Sequence, residues 1–408
     1  MNFVFFVAFV SPWPVARSLW TVACGPGYEI RFRTVRTRLL LGVLALVSLV
    51  AVFTTRVSRK MPDFEVYWTA GSRALAAEPL YRDSDGHYQF KYLPAFAVMI
   101  SPLSKAPLPA AKGAWFAASA LLMVTLLALS LKALPDVRKP PPLLLVLAFL
   151  AMAKFYAHEL VLGQVNLLFG AIVALALVLL RGGREVPAGV LLALAVVVKP
   201  YGAIFLPWLG TRKPRGAFVA MIAGLAIFLV VPAIRYGWAG NLQLLADWWH
   251  TVTTTTAPNL ANPDNVSLRA MFTRWLGPQS AAAPLAAVAA AILLAITGIV
   301  IAARGTLKRT ETLEAALLLL LIPLLSPQGW DYVFLIGTPA VMLLINYLPS
   351  LPTGLRYATV GAMAAIALSI FDLMGRAAYT TFMQMSLITV FVLVEVAALV
   401  ALRVRRVA

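Results

Sequence analysis

Apolar positions in this chain come in long unbroken runs, without the alternation or the three-and-four spacing of elements that show one face to water. The runs occupy 39–53, 114–131, 142–153, 167–180, 217–231, 285–303, 315–325, 333–346, 358–371 and 387–402. With their flanks, most approach the roughly 20 residues that cross a hydrocarbon core as a helix, and 315–325 is the shortest. This pattern predicts an all-α, polytopic integral membrane protein with about ten full crossings. A further apolar stretch, 186–209, is interrupted by Lys199-Pro200. Proline cannot donate to the helix ladder and disfavours helix at the residue before it, so two half-length helices are expected there.

Polar positions orient the spans. Lys and Arg gather in short loops at Arg31 to Arg38, Lys132 to Lys139, Arg181 to Arg184, Arg212 to Arg215, Arg304 to Arg309, at Arg356 and at the C-terminal end. The positive-inside rule makes these loops cytoplasmic. Loops on both sides of 186–209 then lie inside, so that stretch must enter and return, with Lys199 deep at its turn. Arg56, Arg59 and Lys60 are a local violation on the outer side. Two outer loops, 56–109 and 235–283, are long and rich in Trp, Tyr, Asp and Asn, and loops of that length are uncommon without a function. No tandem repeat or soluble domain appears. The chain divides into an extension at 1–38, to which no role is assigned, and a single membrane module at 39–408.

Composition agrees. Of 408 residues, 61% are hydrophobic and 12% charged, against about a quarter charged in soluble domains. The net charge of +18 would suggest nucleic acid in a soluble protein. Here it reads as cytoplasmic-loop charge, and no nucleic-acid partner is expected. Three His and one Cys, Cys24, give no basis for a zinc site or a disulfide framework, and no metal or cofactor is assigned.

Candidate chemistry begins past the first span, at Pro62-Asp63-Phe64-Glu65-Val66-Tyr67-Trp68. Asp63 is the candidate general base for an acceptor hydroxyl, although aromatics and solvated acids at an interface would serve equally as anchors. His158 and Glu159 end a helix. Gln164 and Asn166 open the next, where backbone N–H groups and the positive dipole end favour a phosphate. Lys199 is an ionisable group inside the membrane and is expected to face a cavity or a partner. Arg269, Arg274 and Arg376 are outer-side cations suited to a lipid phosphate. Trp248 and Trp249 suit an interfacial helix better than a sugar platform.

The segment Asp63-Phe64-Glu65-Val66-Tyr67-Trp68-Thr69-Ala70-Gly71, then Pro79-Leu80-Tyr81 and Phe90-Lys91-Tyr92-Leu93-Pro94, resembles the first outer loop of glycosyltransferase family 87. Gly163-Gln164-Val165-Asn166, Lys199-Pro200-Tyr201, Asn265-Val266-Ser267-Leu268-Arg269 and Ser326-Pro327-Gln328-Gly329-Trp330 follow in that family's order. The resemblance implies a GT-C-like fold and transfer of a sugar, mannose in the best-known members, from a polyprenyl-phosphate donor to a lipid or glycan acceptor. It implies inversion at the outer face of the cytoplasmic membrane, with Asp63 as base. Glu65, Tyr67, Tyr92, His158, Gln164, Asn166, Lys199, Asn265, Arg269 and Trp330 are then the expected substrate-binding residues. Three positions depart from the family pattern: Val266 stands where Gln is usual, Gly329 where Ser is, and Tyr332 where His is frequent. A lipid or sugar transporter or flippase would also place polar groups near the midplane. A lipid acyl- or phosphotransferase shares the topology, but needs a nucleophile–base pair or an acidic metal cluster, and neither is clear.

The charge asymmetry has a direct test. With Cys24 replaced by Ser, a membrane-impermeant thiol reagent should label Ser84→Cys in intact cells, and Thr306→Cys only after permeabilisation. The reverse labelling would invert the topology.

Overall fold

The computed structural model describes residues 35–407 apart from 256–258, 261, 278–280, 306 and 308. Cys24, most of the 1–38 extension, and Thr306 and Lys308 lie outside the described residues. In chain order the helices are α1 Val35–Val52, α2 Pro62–Ala76, α3 Pro94–Ile100, α4 Leu108–Lys132, α5 Pro141–Leu162, α6 Asn166–Arg181, α7 Glu185–Val198, α8 Phe205–Gly210 and α9 Gly216–Val230. They continue as α10 Ala233–Thr254, α11 Leu268–Leu276, α12 Ala282–Ala302, α13 Glu311–Leu325, α14 Thr338–Tyr347, α15 Thr353–Leu368, α16 Phe371–Met374, α17 Arg376–Gln384 and α18 Leu387–Val404. Proline occurs within the first two positions of α2, α3, α4, α5 and α14, where its missing N–H would have no partner anyway. Among the described residues the only β pairing is a bridge between Asn265 and Trp330.

Five helical segments are long and apolar enough to cross a membrane: α4, α5, α12, the continuous segment Asp331–Ser350 that contains α14, and α18. The number rises to seven if α1 with α2, and α9 with α10, each count as one bent span. This is fewer than the ten apolar runs suggest. The reason is local: α6, α7 and α15 are apolar helices of 16, 14 and 16 residues, short of a full span by themselves. The α1–α2 pair bends by 86°, so α2 crosses the end of the bundle instead of continuing through it.

Among the described residues, the basic loops from Lys132 onward meet at one end. Arg181 donates to the Lys132 carbonyl at 2.6 Å and Arg309 to that of Pro135 at 2.8 Å, while Thr312 bonds the Ala133 carbonyl. The Arg138 amide donates to Asn346 Oδ1 at 2.8 Å. At this same end a Cβ on Gly216 would lie 2.6 Å from Glu185 Oε2. Farther along, Gly189 packs on Ala217, and Gly224 on Ala193. Helices α7 and α9 therefore run parallel from a common end. The chain between them has to turn back, and it does so at Lys199, whose φ and ψ of −146° and 113° are extended. The turn continues as 3-10 helix over Pro200–Ile204, and a Cβ on Gly202 would lie 3.2 Å from the Ala195 carbonyl carbon. The break expected at Lys199-Pro200 is thus present, with α8 returning to the basic end.

One carboxylate ties that end together. Glu314 is fully buried, and its Oε2 accepts from Trp208 Nε1 at 2.8 Å and from Arg212 and Arg304, each at 3.1 Å. Arg403, itself buried, approaches its other oxygen at 3.5 Å. Helices α8, α12, α13 and α18 converge on this side chain or its partners. Removing one member of a buried ion cluster leaves uncompensated charge, a loss of about 3–5 kcal/mol. Glu314→Gln should clearly lower the thermal midpoint of the detergent-purified protein, measured by loss of the monodisperse elution peak. An unchanged midpoint would show that the cluster does not hold the bundle.

Candidate functional site

At the opposite end, α2 is clamped onto the turn between α5 and α6. Met61, at φ 65°, donates its backbone N–H to the Val161 carbonyl at 3.0 Å. Gly163 caps α5 at φ 69°, and a Cβ there would meet Phe64 Cβ at 2.8 Å. Glycine is required both by the left-handed backbone and by the approach of α2. Trp115 stacks on Phe64 with 5.4 Å between ring centroids and donates to the Gly163 carbonyl at 2.9 Å. This clamp fixes where the first turn of α2 presents Asp63.

Asp63 and Tyr67 are four residues apart and share one face of α2. The Tyr67 hydroxyl donates to Gln164 Oε1 at 2.8 Å and lies 2.6 Å from the Tyr92 hydroxyl. Lys199 Nζ donates to the Tyr92 hydroxyl at 3.1 Å and to Gln164 Oε1 at 3.3 Å, and sits 4.8 Å above the Tyr92 ring. Burial pushes the Asp63 carboxyl above its ordinary value, while Lys199, then the Gln164 amide and His158, pull it back. Lys91 also faces this carboxylate: burial lowers its ammonium and Asp63 raises it. The result is a half-buried carboxylate bonded by the Gln164 amide and facing Lys199 and Lys91, with Gln164 in turn bonded to Tyr67 and Lys199. Such a cluster can take a proton from a hydroxyl and hold an anion beside it.

The other expected site residues fall into three places. Glu65 turns away from Asp63 and pairs with Lys112 at 2.5 Å. Asn166 is fully buried behind the pocket, donating to Glu159 Oε2 at 2.8 Å and accepting from the Tyr201 hydroxyl at 2.8 Å. Glu159 Oε1 takes the Leu167 backbone N–H at 3.0 Å, so the group bonded at the start of α6 is the protein's own carboxyl. Asn265 and Trp330 hold each other through their bridge, with Asn265 Nδ2 donating to the Pro327 carbonyl at 2.8 Å. Arg269 lies partly buried on α11. Arg274 is engaged by Ser386 Oγ at 2.9 Å and the Asn262 carbonyl at 3.0 Å, and Arg376 is exposed.

His158 joins the two halves. Its Nδ1 lies 3.1 Å from Asp331 Oδ1, and its ring packs edge-on against Tyr332 at 5.0 Å. Asp331 is buried and also faces Lys154 Nζ at 3.5 Å, while Lys154 donates to Ser369 Oγ at 3.1 Å. Lys154 and Asp331 were not singled out from the sequence, and Lys91 and Tyr201 stood there only as members of the quoted motifs, not as expected site residues. Lys154 carried a signal, since it is a lysine beside an apolar run, one helical turn before His158. Asp331 carried none, because its side-chain partners, His158 and Lys154, come from 173 residues or more away in the chain. Gly329 has a packing reason: a Cβ there would stand 1.9 Å from the Pro323 carbonyl oxygen, so Ser does not fit this backbone.

The fold is that of a multi-pass helical membrane protein, with Asp63, Gln164 and Lys199 grouped at the end opposite the basic loops. The model of glycosyltransferase family 87 matches residues 90–327, and the chain belongs to that family. It is a membrane glycosyltransferase, with a sugar donor and an acceptor as substrates. The matched region holds Tyr92, Gln164 and Lys199 and begins after Asp63. No curated protein and no solved structure matches the chain.

Lys199→Met keeps the aliphatic stem and removes the charge. Losing a charged hydrogen-bonding group from a binding site costs about 1.5–3 kcal/mol. The variant should fold, reach the membrane, and need about ten-fold or more sugar donor for half-maximal transfer. Unaltered donor dependence would make Lys199 purely structural.

Proposed function

We propose that this glycosyltransferase moves a sugar, mannose in the first instance, from a polyprenyl-phosphate donor to a hydroxyl of a lipid or glycan acceptor. The site would open at the outer face of the cytoplasmic membrane, within a GT-C-like module spanning 39–408. The observation that carries this reading is the placement of Asp63 beside Gln164 and facing Lys199, which Tyr92 and Gln164 hold, at the end opposite the basic loops.

The step is a single inverting displacement. The acceptor oxygen attacks the anomeric carbon as its proton passes to Asp63, and the bond from that carbon to the phosphate oxygen breaks. The phosphate departs with the bonding electron pair, leaving polyprenyl phosphate and the new glycoside. Charge develops on the leaving phosphate, and Lys199 and Lys91 provide preorganised positive charge for it. The leaving group needs no proton, so one carboxylate suffices, unlike in glycoside hydrolysis. The reading calls for no cofactor or metal.

Asp63→Asn is nearly isosteric but accepts no proton at neutral pH. It should express and bind donor normally while transfer falls by about 10²- to 10⁴-fold. A base must be ionised, and burial raises this carboxyl. The wild-type rate should therefore fall, as pH drops, at values above the usual Asp pKa of about 3.9. Glu65→Gln should cost far less, because Glu65 faces Lys112. Near-normal transfer by Asp63→Asn removes the proposed base, and a dead Glu65→Gln reassigns the role.

A further inference from the structure

Helix α10 follows α9 across a bend of 93°, with Gly237 at φ 69° near its start. If α9 runs along the bilayer normal, as its parallel course with α7 requires of a helix in the bundle, α10 lies in the membrane plane. Its side chains sort onto three faces at the helical period. Asn241, Leu244 and Thr251 are buried against the protein. Trp238, Leu242 and Trp249, at spacings of four and seven, are 64%, 61% and 63% exposed. Gln243, Asp247 and His250 form the third face, where Gln243 Nε2 donates to Asp247 at 2.7 Å. Two tryptophans and a leucine on one exposed strip are costly in water. The strip also continues the exposed apolar side of α9, which ends in Ile227 and Val230 and passes through Ile234. The protein-facing side grips the site loop: Trp248 Nε1 donates to the Lys91 carbonyl at 3.2 Å, and the Tyr236 hydroxyl to that of Glu78 at 3.0 Å.

We propose that α10 is a membrane-surface helix seated in the lipid headgroup layer. Trp238, Leu242 and Trp249 enter the acyl boundary, and Gln243, Asp247 and His250 stay in water. Tryptophan prefers this depth because its ring is apolar and its N–H polar, and Arg235, exposed at the start of α10, is placed for lipid phosphate. Through Trp248 and Tyr236 the helix holds residues 78–92, and with them Lys91 and Tyr92, at headgroup depth. This partner is the lipid surface itself, whichever sugar is transferred.

The test uses the full chain in liposomes, with Cys24 replaced by Ser and a polarity-sensitive fluorophore on Leu242→Cys or Gln243→Cys, both exposed positions. The Leu242 label should be blue-shifted, shielded from aqueous iodide, and quenched most by a nitroxide placed just below the lipid headgroup. The Gln243 label should be quenched by iodide several-fold more strongly. Equal iodide quenching at both sites would put α10 in water. Strongest quenching of the Leu242 label by a nitroxide at the tail end would make α10 a crossing helix. Either result overturns the proposal. Trp248→Phe should raise amide hydrogen exchange over 78–92 by about five-fold, the ratio for one net hydrogen bond of about 1 kcal/mol. Unchanged exchange there would show that α10 does not hold the loop.

Discussion

An ammonium group brought into a helical bundle has to find donors' counterparts before anything else can pack around it. Lys199 meets that demand with the Tyr92 hydroxyl, Gln164 Oε1 and the face of the Tyr92 ring. Each partner arrives on a different piece of chain: the loop before α3 and the turn between α5 and α6. The Lys199 backbone cannot be helical, because Pro200 follows it and because the chain has to return to the basic end. The same two residues therefore produce the hairpin and deliver the charge. Asp63 then sits opposite a cation already fixed in position.

The side chains around Asp63 also serve the fold. Tyr67 is buried, bonded to Gln164, and packed edge-on against Tyr92 and Phe96 at 5.0 and 5.4 Å. Gln164 Oε1 also takes the Val165 backbone N–H at 3.1 Å. The Gly163 turn carries α2 on one side and starts α6 on the other, with Glu159 neutralising the positive end of α6. That carboxylate has its own network with Asn166 and Tyr201, which keeps the polar groups under the pocket satisfied without drawing on Lys199.

Much of this was legible in the sequence, and what was not has a physical cause. The apolar runs marked helices, and the described basic loops from Lys132 onward do meet at one end. Lys199-Pro200 announced its own break, since the geometry of proline is local. The number of full spans was not legible, because a run of apolar residues does not record whether its helix continues, bends by about a right angle, or stops short. Asp63, Tyr67, Tyr92, Gln164 and Lys199 were all expected at a site, and the structure brings them together. Asn166 read as a ligand of a phosphate because its side chain is polar at a helix start; its burial under Glu159 depends on packing that spacing alone does not reveal. Glu65 and Asp63 look equivalent in the sequence, yet two residues along a helix differ by about 200° in direction, and Glu65 faces Lys112.

The last departure from the family pattern, Tyr332, follows from how the two halves of this end join. Position 332 is buried and its ring is occupied in edge contact with His158. The imidazole in this region thus comes from α5, one turn beyond Lys154, and is oriented by the buried carboxylate of Asp331. Asp331 is itself fixed by its backbone N–H to the Asp264 carbonyl at 3.0 Å, beside the Asn265–Trp330 bridge. Gly329 allows that bridge to form, since any side chain there would strike the Pro323 carbonyl. The loop carrying Gly329, Trp330, Asp331 and Tyr332 is therefore one unit. Its glycine sets the backbone path, the path places Asp331 under His158, and the His158 ring in turn leaves a flat aromatic side chain as a good fit at 332.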